Sequence, residues 1–255
     1  MLQEAVEPLA YELAFWMQGL DNPEMEIAEV AKLSAELASG FRAMAIIAMA
    51  TAGSIDGFCH NLIRSALVRS RYLQRVHDSR AFDSHHFASG RYKPLADAIA
   101  AGEYTLAAKL HQLSPTAWQG RREYRDDFCF GRLLGNLLLP EEGDTVVSEL
   151  LEEFETYLDG NSDARLDVCR ALVKADATEF NMSFLALIQQ FEEQVAEAIE
   201  RGEMETPIVV AQRKVFIDGL ALLRLADRRG MATEKEYRYC PSLARRQMQS
   251  PFPGQ

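Results

Sequence analysis

The chain has 255 residues, 48% hydrophobic and 25% charged, with a formal net charge of −11. That length buries a core without covalent staples and leaves room for one large domain or two small ones. Its four cysteines, Cys59, Cys129, Cys169 and Cys240, are widely scattered, form no C-x-x-C pair and stand at no zinc-finger spacing from a histidine, and they read as reduced, mostly buried thiols in a cytoplasmic protein.

The charge is uneven. Residues 1–63 carry nine acids and two bases, 64–136 seven and twelve, 137–210 eighteen and four, and 211–255 four and nine. So acidic a block argues against nucleic-acid contact there and suits a basic partner; the plainer reading is a solvated helix face.

Apolar residues recur three and four apart and β-branched alternation is nearly absent, so the expected fold is all-α: stacked antiparallel helical hairpins in a single body over 1–255, with a partly extended tail at 231–255. The opening MLQEAVEPLAYELAFWMQGLDNPEME has acids where a secretory leader has bases, and is too polar to span a bilayer. A first helix is expected over 2–19 and a second over 23–39, with Gly40 breaking or bending the pattern before an apolar helix at 41–52. The uninterrupted apolar run, Ala43 to Ala50, is too short for a membrane span and reads as a buried helix.

A helix at 55–77 buries Phe58, Leu62, Leu73 and Val76 and turns Arg64, Arg71 and Arg75 towards water. Periodicity then vanishes over 79–94, the longest expected loop. A helical hairpin over 93–115 breaks at Gly102, and a helix over 124–138 ends at Pro140. Residues 143–160 begin at Asp144 as an N-cap and place Val147, Leu150, Leu151, Phe154 and Leu158 on one stripe, leaving Glu149, Glu152, Glu153 and Glu155 on outer faces. Next come a short helix at 162–176, a long one at 177–203 with Phe180, Phe184, Leu187, Ile188, Phe191, Val195 and Ile199 inward, and a last core helix at 206–230 capped by Thr206.

Catalytic patterns are scarce. His77, Asp78, Asp83, His85 and His86 supply metal-ligand atoms in a loop, but their spacing matches no metal signature. RREYRDD, 121–127, offers helix pairs such as Arg122 with Asp126, and the Glu-Glu doublets diverge around their helices instead of sharing a cleft. No Gly-rich phosphate loop, G-x-S-x-G elbow or H-E-x-x-H helix is present. The expected function is therefore not enzymatic, with no cofactor and no metal. EKEYRYCPSLARR, 234–246, poses the choice between a reactive Cys240 and a structural clasp; Tyr237 and Tyr239, two apart, are expected to cover the end of the last helix together.

A helix ending ALLRLADRRG followed by YRYCPSLA, together with ALVKADATEFNMSFLALIQQFEEQV, resembles bacterial polymorphic-toxin immunity proteins of the family numbered forty-nine, with the likeness clearest over 165–245. The resemblance implies a cytoplasmic, mostly α-helical protein that binds and neutralises a cognate toxin effector domain, with no catalytic residues. Guarded toxins include nucleases with basic grooves, so the acids of the 137–210 block, Glu141, Glu142, Asp144, Glu149, Glu152, Glu153 and Glu155, are the expected toxin-binding surface. Direct nucleic-acid binding and membrane insertion are not expected. Two alternatives stay open: a helical-repeat adaptor for an endogenous protein, and an enzyme, which would need a buried polar cluster.

Overall fold

The computed structural model describes residues 2–20, 22–82, 85–139 and 144–253. Among them are eleven α-helices: α1 (Val6–Leu20), α2 (Ile27–Ala52), α3 (Ile55–Ser79), α4 (Lys93–Ala101), α5 (Tyr104–Leu113), α6 (Arg125–Leu138), α7 (Asp144–Leu158), α8 (Ala164–Lys174), α9 (Ala177–Glu200), α10 (Pro207–Gln212) and α11 (Ile217–Arg228). No strand occurs among the described residues; one antiparallel bridge joins Tyr237 to Cys240, and a 3-10 turn spans Ser242–Arg245. The fold is all-α.

Short, well-capped turns make the hairpins. Only Gly53 and Ser54 separate α2 from α3. Gly53 takes a φ of 60°, which a side chain would disfavour, and Ser54 Oγ accepts the Gly57 N–H at 3.0 Å. Two long helices joined so tightly run antiparallel, and theirs is the most extensive helix pairing in the molecule. The α8–α9 turn works similarly: the Asp176 carboxylate accepts the N–H groups of Thr178 and Glu179 at 2.9 and 3.0 Å. Buried apolar side chains form one contiguous cluster from Leu9 on α1 to Ala244 in the tail.

Three sequence expectations are corrected. First, Gly40 does not interrupt a helix; α2 runs through it. The glycine admits α1, since a Cβ there would lie 2.5 Å from Leu13 Cδ2. Unbroken, α2 is long and apolar enough to cross a bilayer by length and composition, yet 61% of its apolar window is buried in the protein, where it packs against α1, α3 and α10.

Second, the expected 206–230 helix is two. The Phe216 N–H leaves the helical ladder and donates to Tyr239 O at 2.8 Å, while the Cys240 thiol approaches Phe216 O at 3.4 Å. The tail thus inserts where α10 gives way to α11. Its tyrosines cover α9 instead of the last helix: Tyr237 packs edge-on to Phe184 and donates to Asn181 Oδ1, and Tyr239 packs edge-on to Phe191. Cys240 is fully buried, and burial raises its thiol well above the ordinary range, which leaves no reactive thiolate. The clasp reading is the right one.

Third, α9 is apolar along a longer stripe than the core uses. Phe180, Phe184, Leu187 and Ile188 are buried, whereas Phe191 and Val195 are half-buried and Ile199 is 53% exposed.

His111 on α5 fills the space over Gly135 on α6. Burial, with Arg132 nearby, pushes its imidazole down to about 4. Because that value lies below that of the unfolded imidazole, the unfolded chain protonates first, and the stability this group contributes is lost as pH falls from about 6.5 towards 4. The melting-temperature difference between pH 7 and pH 4.5 is expected to be smaller in His111→Gln than in the unaltered protein. Equal differences would remove His111 from the acid response.

Candidate functional site

Two features stand out: the outer face of α7 and a cleft between α2 and α9.

On α7 the stripe falls as expected, with Leu150 and Phe154 buried and Val147, Leu151 and Leu158 half-buried. The acids then divide by role. Glu153 takes Arg125 of α6 at 2.8 Å and Glu155 takes Arg170 of α8 at 2.6 Å, so these two tie α7 to its neighbours. Glu149 and Glu152 are exposed and have no ion-pair partner among the described residues. Glu141, Glu142 and the side chain of Asp144 lie outside the described residues.

Arg122 does not pair with Asp126, because α6 starts only at Arg125; Asp126 and Asp127 instead receive Arg165 from α8 at 2.6 and 2.8 Å. Among its described residues the histidine loop is not a gathered ligand set. His77 Nε2 meets Leu113 O at 2.9 Å, the rings of His85 and His86 lie 3.9 Å apart, and Asp83 lies outside the described residues. Burial pushes His86 down to about 4. Among the described residues no three His, Cys, Asp or Glu side chains converge to hold a metal.

The cleft encloses about 850 Å³. One wall is α2, presenting Ala31, Ala35 and Ala38; another is the stretch of α9 beyond the core, presenting Phe191, Gln194 and Val195. Its floor is a charged network from several helices. Ser65 of α3 donates to Asp97 of α4 at 2.6 Å, and Asp97 faces the Arg42 guanidinium of α2 at 2.8 Å. Arg42 also donates to Asp218 of α11. Arg165 extends the floor, meeting Asp163 at 2.7 Å as well as Asp126 and Asp127, and its guanidinium lies 5.4 Å from the Phe130 ring centroid. Tyr92 also lines the cleft.

Electrostatics here are set by burial. Burial works against the Arg42 charge, but Asp218 and Asp97 outweigh it and hold the guanidinium protonated. Asp97 is 1% exposed, and burial pushes its carboxyl up to about 6 against the opposing pull of Arg42 and Ser65. Burial likewise raises Asp127 in spite of Arg165.

Sequence reasoning missed this cluster, and one signal was available. Arg42 stands beside the most apolar run of the chain, where a charge has to find a buried partner. Which partner is a tertiary fact, for Arg42 and Asp218 lie 176 residues apart.

Fold and site together define an all-α protein whose surface acids and charged cleft suit binding, with the acids of α7 divided between holding the fold and facing solvent. The family model described as Immunity protein 49 matches residues 17–244, and the chain belongs to that family. The match extends the likeness read from 165–245 across nearly all the helices. No curated protein and no solved structure matches the chain.

Proposed function

We propose that this immunity protein acts in the cytoplasm by binding a cognate toxin effector domain, a nuclease, and occluding a basic surface or groove on it, without catalysis of its own and without contacting nucleic acid. The observation that carries this reading is the split among the α7 acids. Glu149 and Glu152 are exposed, with no cation paired to them among the described residues, on a helix that Glu153 and Glu155 hold in place. Carboxylates fixed on a rigid helix present the charge pattern that a phosphate-binding groove accepts, and they act mainly on association rate.

The test is co-expression with the product of the neighbouring gene, scored by growth, together with association kinetics at two salt concentrations. Glu149→Lys with Glu152→Lys is expected to slow association about tenfold or more and to flatten its salt dependence, with the melting temperature unchanged. Unchanged kinetics and full protection would take this surface out of the interface, and a neighbouring product that neither harms the cell nor binds would sink the immunity mechanism itself.

A further inference from the structure

Beside α7 stand two aromatic side chains that take no part in the apolar core: Trp118, 40% exposed, and Tyr124, 72% exposed. The Arg125 guanidinium, at the head of α6, lies 4.7 Å from the Trp118 ring centroid and pairs with Glu153 of α7 at 2.8 Å, so a single side chain joins the indole to α7. Glu149 stands one turn before Glu153, and Glu152 next to it, which brings the two solvent-facing acids to the edge of the same surface. Val146, three residues before Glu149, and Tyr157, four after Glu153, are exposed too, on the flank of α7 that Glu153 turns towards α6.

The loop that carries Trp118 is tied down. The half-buried Glu123 carboxylate accepts the Gln119 N–H at 2.8 Å and the Gly90 N–H, the Gln119 carbonyl accepts the Arg122 N–H at 3.0 Å, and the indole N–H donates to Glu123 O at 3.4 Å. An aromatic ring already held in place loses little freedom when a partner covers it, and tryptophan, tyrosine and arginine are the residue types that carry most of the energy at protein interfaces. Charge then decides among occupants. Arg125 is engaged by Glu153, and Arg122 donates to the Phe82 carbonyl at 3.2 Å, which leaves Arg121 as the exposed cation of the loop against Glu149 and Glu152. Two acids outnumber the one cation that a second copy could set against them, and the same acids repel nucleic acid and an anionic membrane. A basic protein surface meets no such penalty.

We infer that Trp118 and Tyr124, with Val146 and Tyr157 of α7, anchor the same basic partner that Glu149 and Glu152 steer, the two loop aromatics entering an apolar pocket bordered by the partner's lysines or arginines. For the partner's identity this assignment rests on the proposed toxin binding; it adds an apolar contact that sets the lifetime of the complex. Exposed charges act at a distance and so on encounter, whereas aromatic contacts form only after docking, and their loss shows in dissociation.

Association and dissociation rates measured by surface plasmon resonance on the full chain, with the purified product of the neighbouring gene, separate the two roles. Tyr124→Ala is expected to raise the dissociation rate about tenfold or more while leaving the association rate within about twofold. Its melting temperature should not change, because the ring lies outside the core. Trp118→Ala should speed dissociation similarly; if loss of the indole frees Arg125 and disturbs folding, Tyr124→Ala alone carries the test. Glu149→Lys with Glu152→Lys acts on association instead. Binding indifferent to both aromatic variants, with association still slowed by the lysines, removes the anchor and leaves the α7 surface in place; a product that does not bind removes both. A dimer in sedimentation that Tyr124→Ala dissolves would give this face to a second copy and overturn the inference as well.

Discussion

Replacing Arg42 by methionine is expected to lower folding stability by about 3–5 kcal/mol, the cost of removing one partner from a buried ion pair. Methionine has a similar length and is at home in α2, so neither packing nor helix propensity accounts for such a loss. What changes is the charge: Asp97, 1% exposed, and Asp218 are left facing each other without the guanidinium between them. Asp97 already has a carboxyl raised to about 6, and without Arg42 it would climb further. A carboxyl whose folded value exceeds its unfolded value imposes no penalty below the unfolded value, and the full penalty once pH has risen past the folded one. Chemical denaturation should therefore find Arg42→Met closer to the unaltered protein at pH 4.5 than at pH 8. Adding Asp97→Asn and Asp218→Asn should restore most of the loss at pH 8. If the single variant is equally stable at both pH values, the floor of the cleft is not held together by this charge pairing.

Gly135→Ala should be nearly as damaging, and in the direction opposite to intrinsic preference. Inside an exposed helix the change would stabilise by about 0.8–1 kcal/mol, because alanine is the better helix former. At this position, however, a Cβ would lie 1.9 Å from His111 Nδ1, far inside van der Waals contact, and His111 is only 3% exposed, so its ring has nowhere to swing. Overpacking of this kind costs about 1–3 kcal/mol and more where the neighbour cannot move, so a net loss of about 2–3 kcal/mol is expected. The double variant Gly135→Ala, His111→Ala separates clash from any other cause. The ring is gone, so the second substitution should cost much less in the presence of the first than alone. Additive losses would show that α5 and α6 do not meet at this point.

Much of the fold was legible because helices announce themselves locally. Thr206 caps α10 by accepting the Val209 N–H at 3.2 Å, Pro207 sits in its first turn, and the apolar stripe of α7 faces inward, all as its residues dictate. Legibility failed where a local signal had two meanings. A glycine in a helical run reads as a break, but at Gly40 the helix continues and a neighbouring side chain comes close. An apolar stripe reads as core, but on α9 it outruns the core and becomes a cleft wall. A run of glutamates reads as one surface, but only cross-helix geometry assigns Glu153 and Glu155 to Arg125 and Arg170 and leaves Glu149 and Glu152 to solvent.

By itself, then, the sequence determined the helical class, the turns, most of the helix ends and the family likeness, because each rests on propensity, capping and periodicity within a few residues along the chain. Tertiary structure alone decided the clasp of the tail on α9, the break between α10 and α11, and the charged floor of the cleft. Arg42 meets a residue 176 positions away and Ser65 one 32 positions away, and such pairings leave no period in a sequence; they exist only once the helices have packed and water has been removed from between the charges.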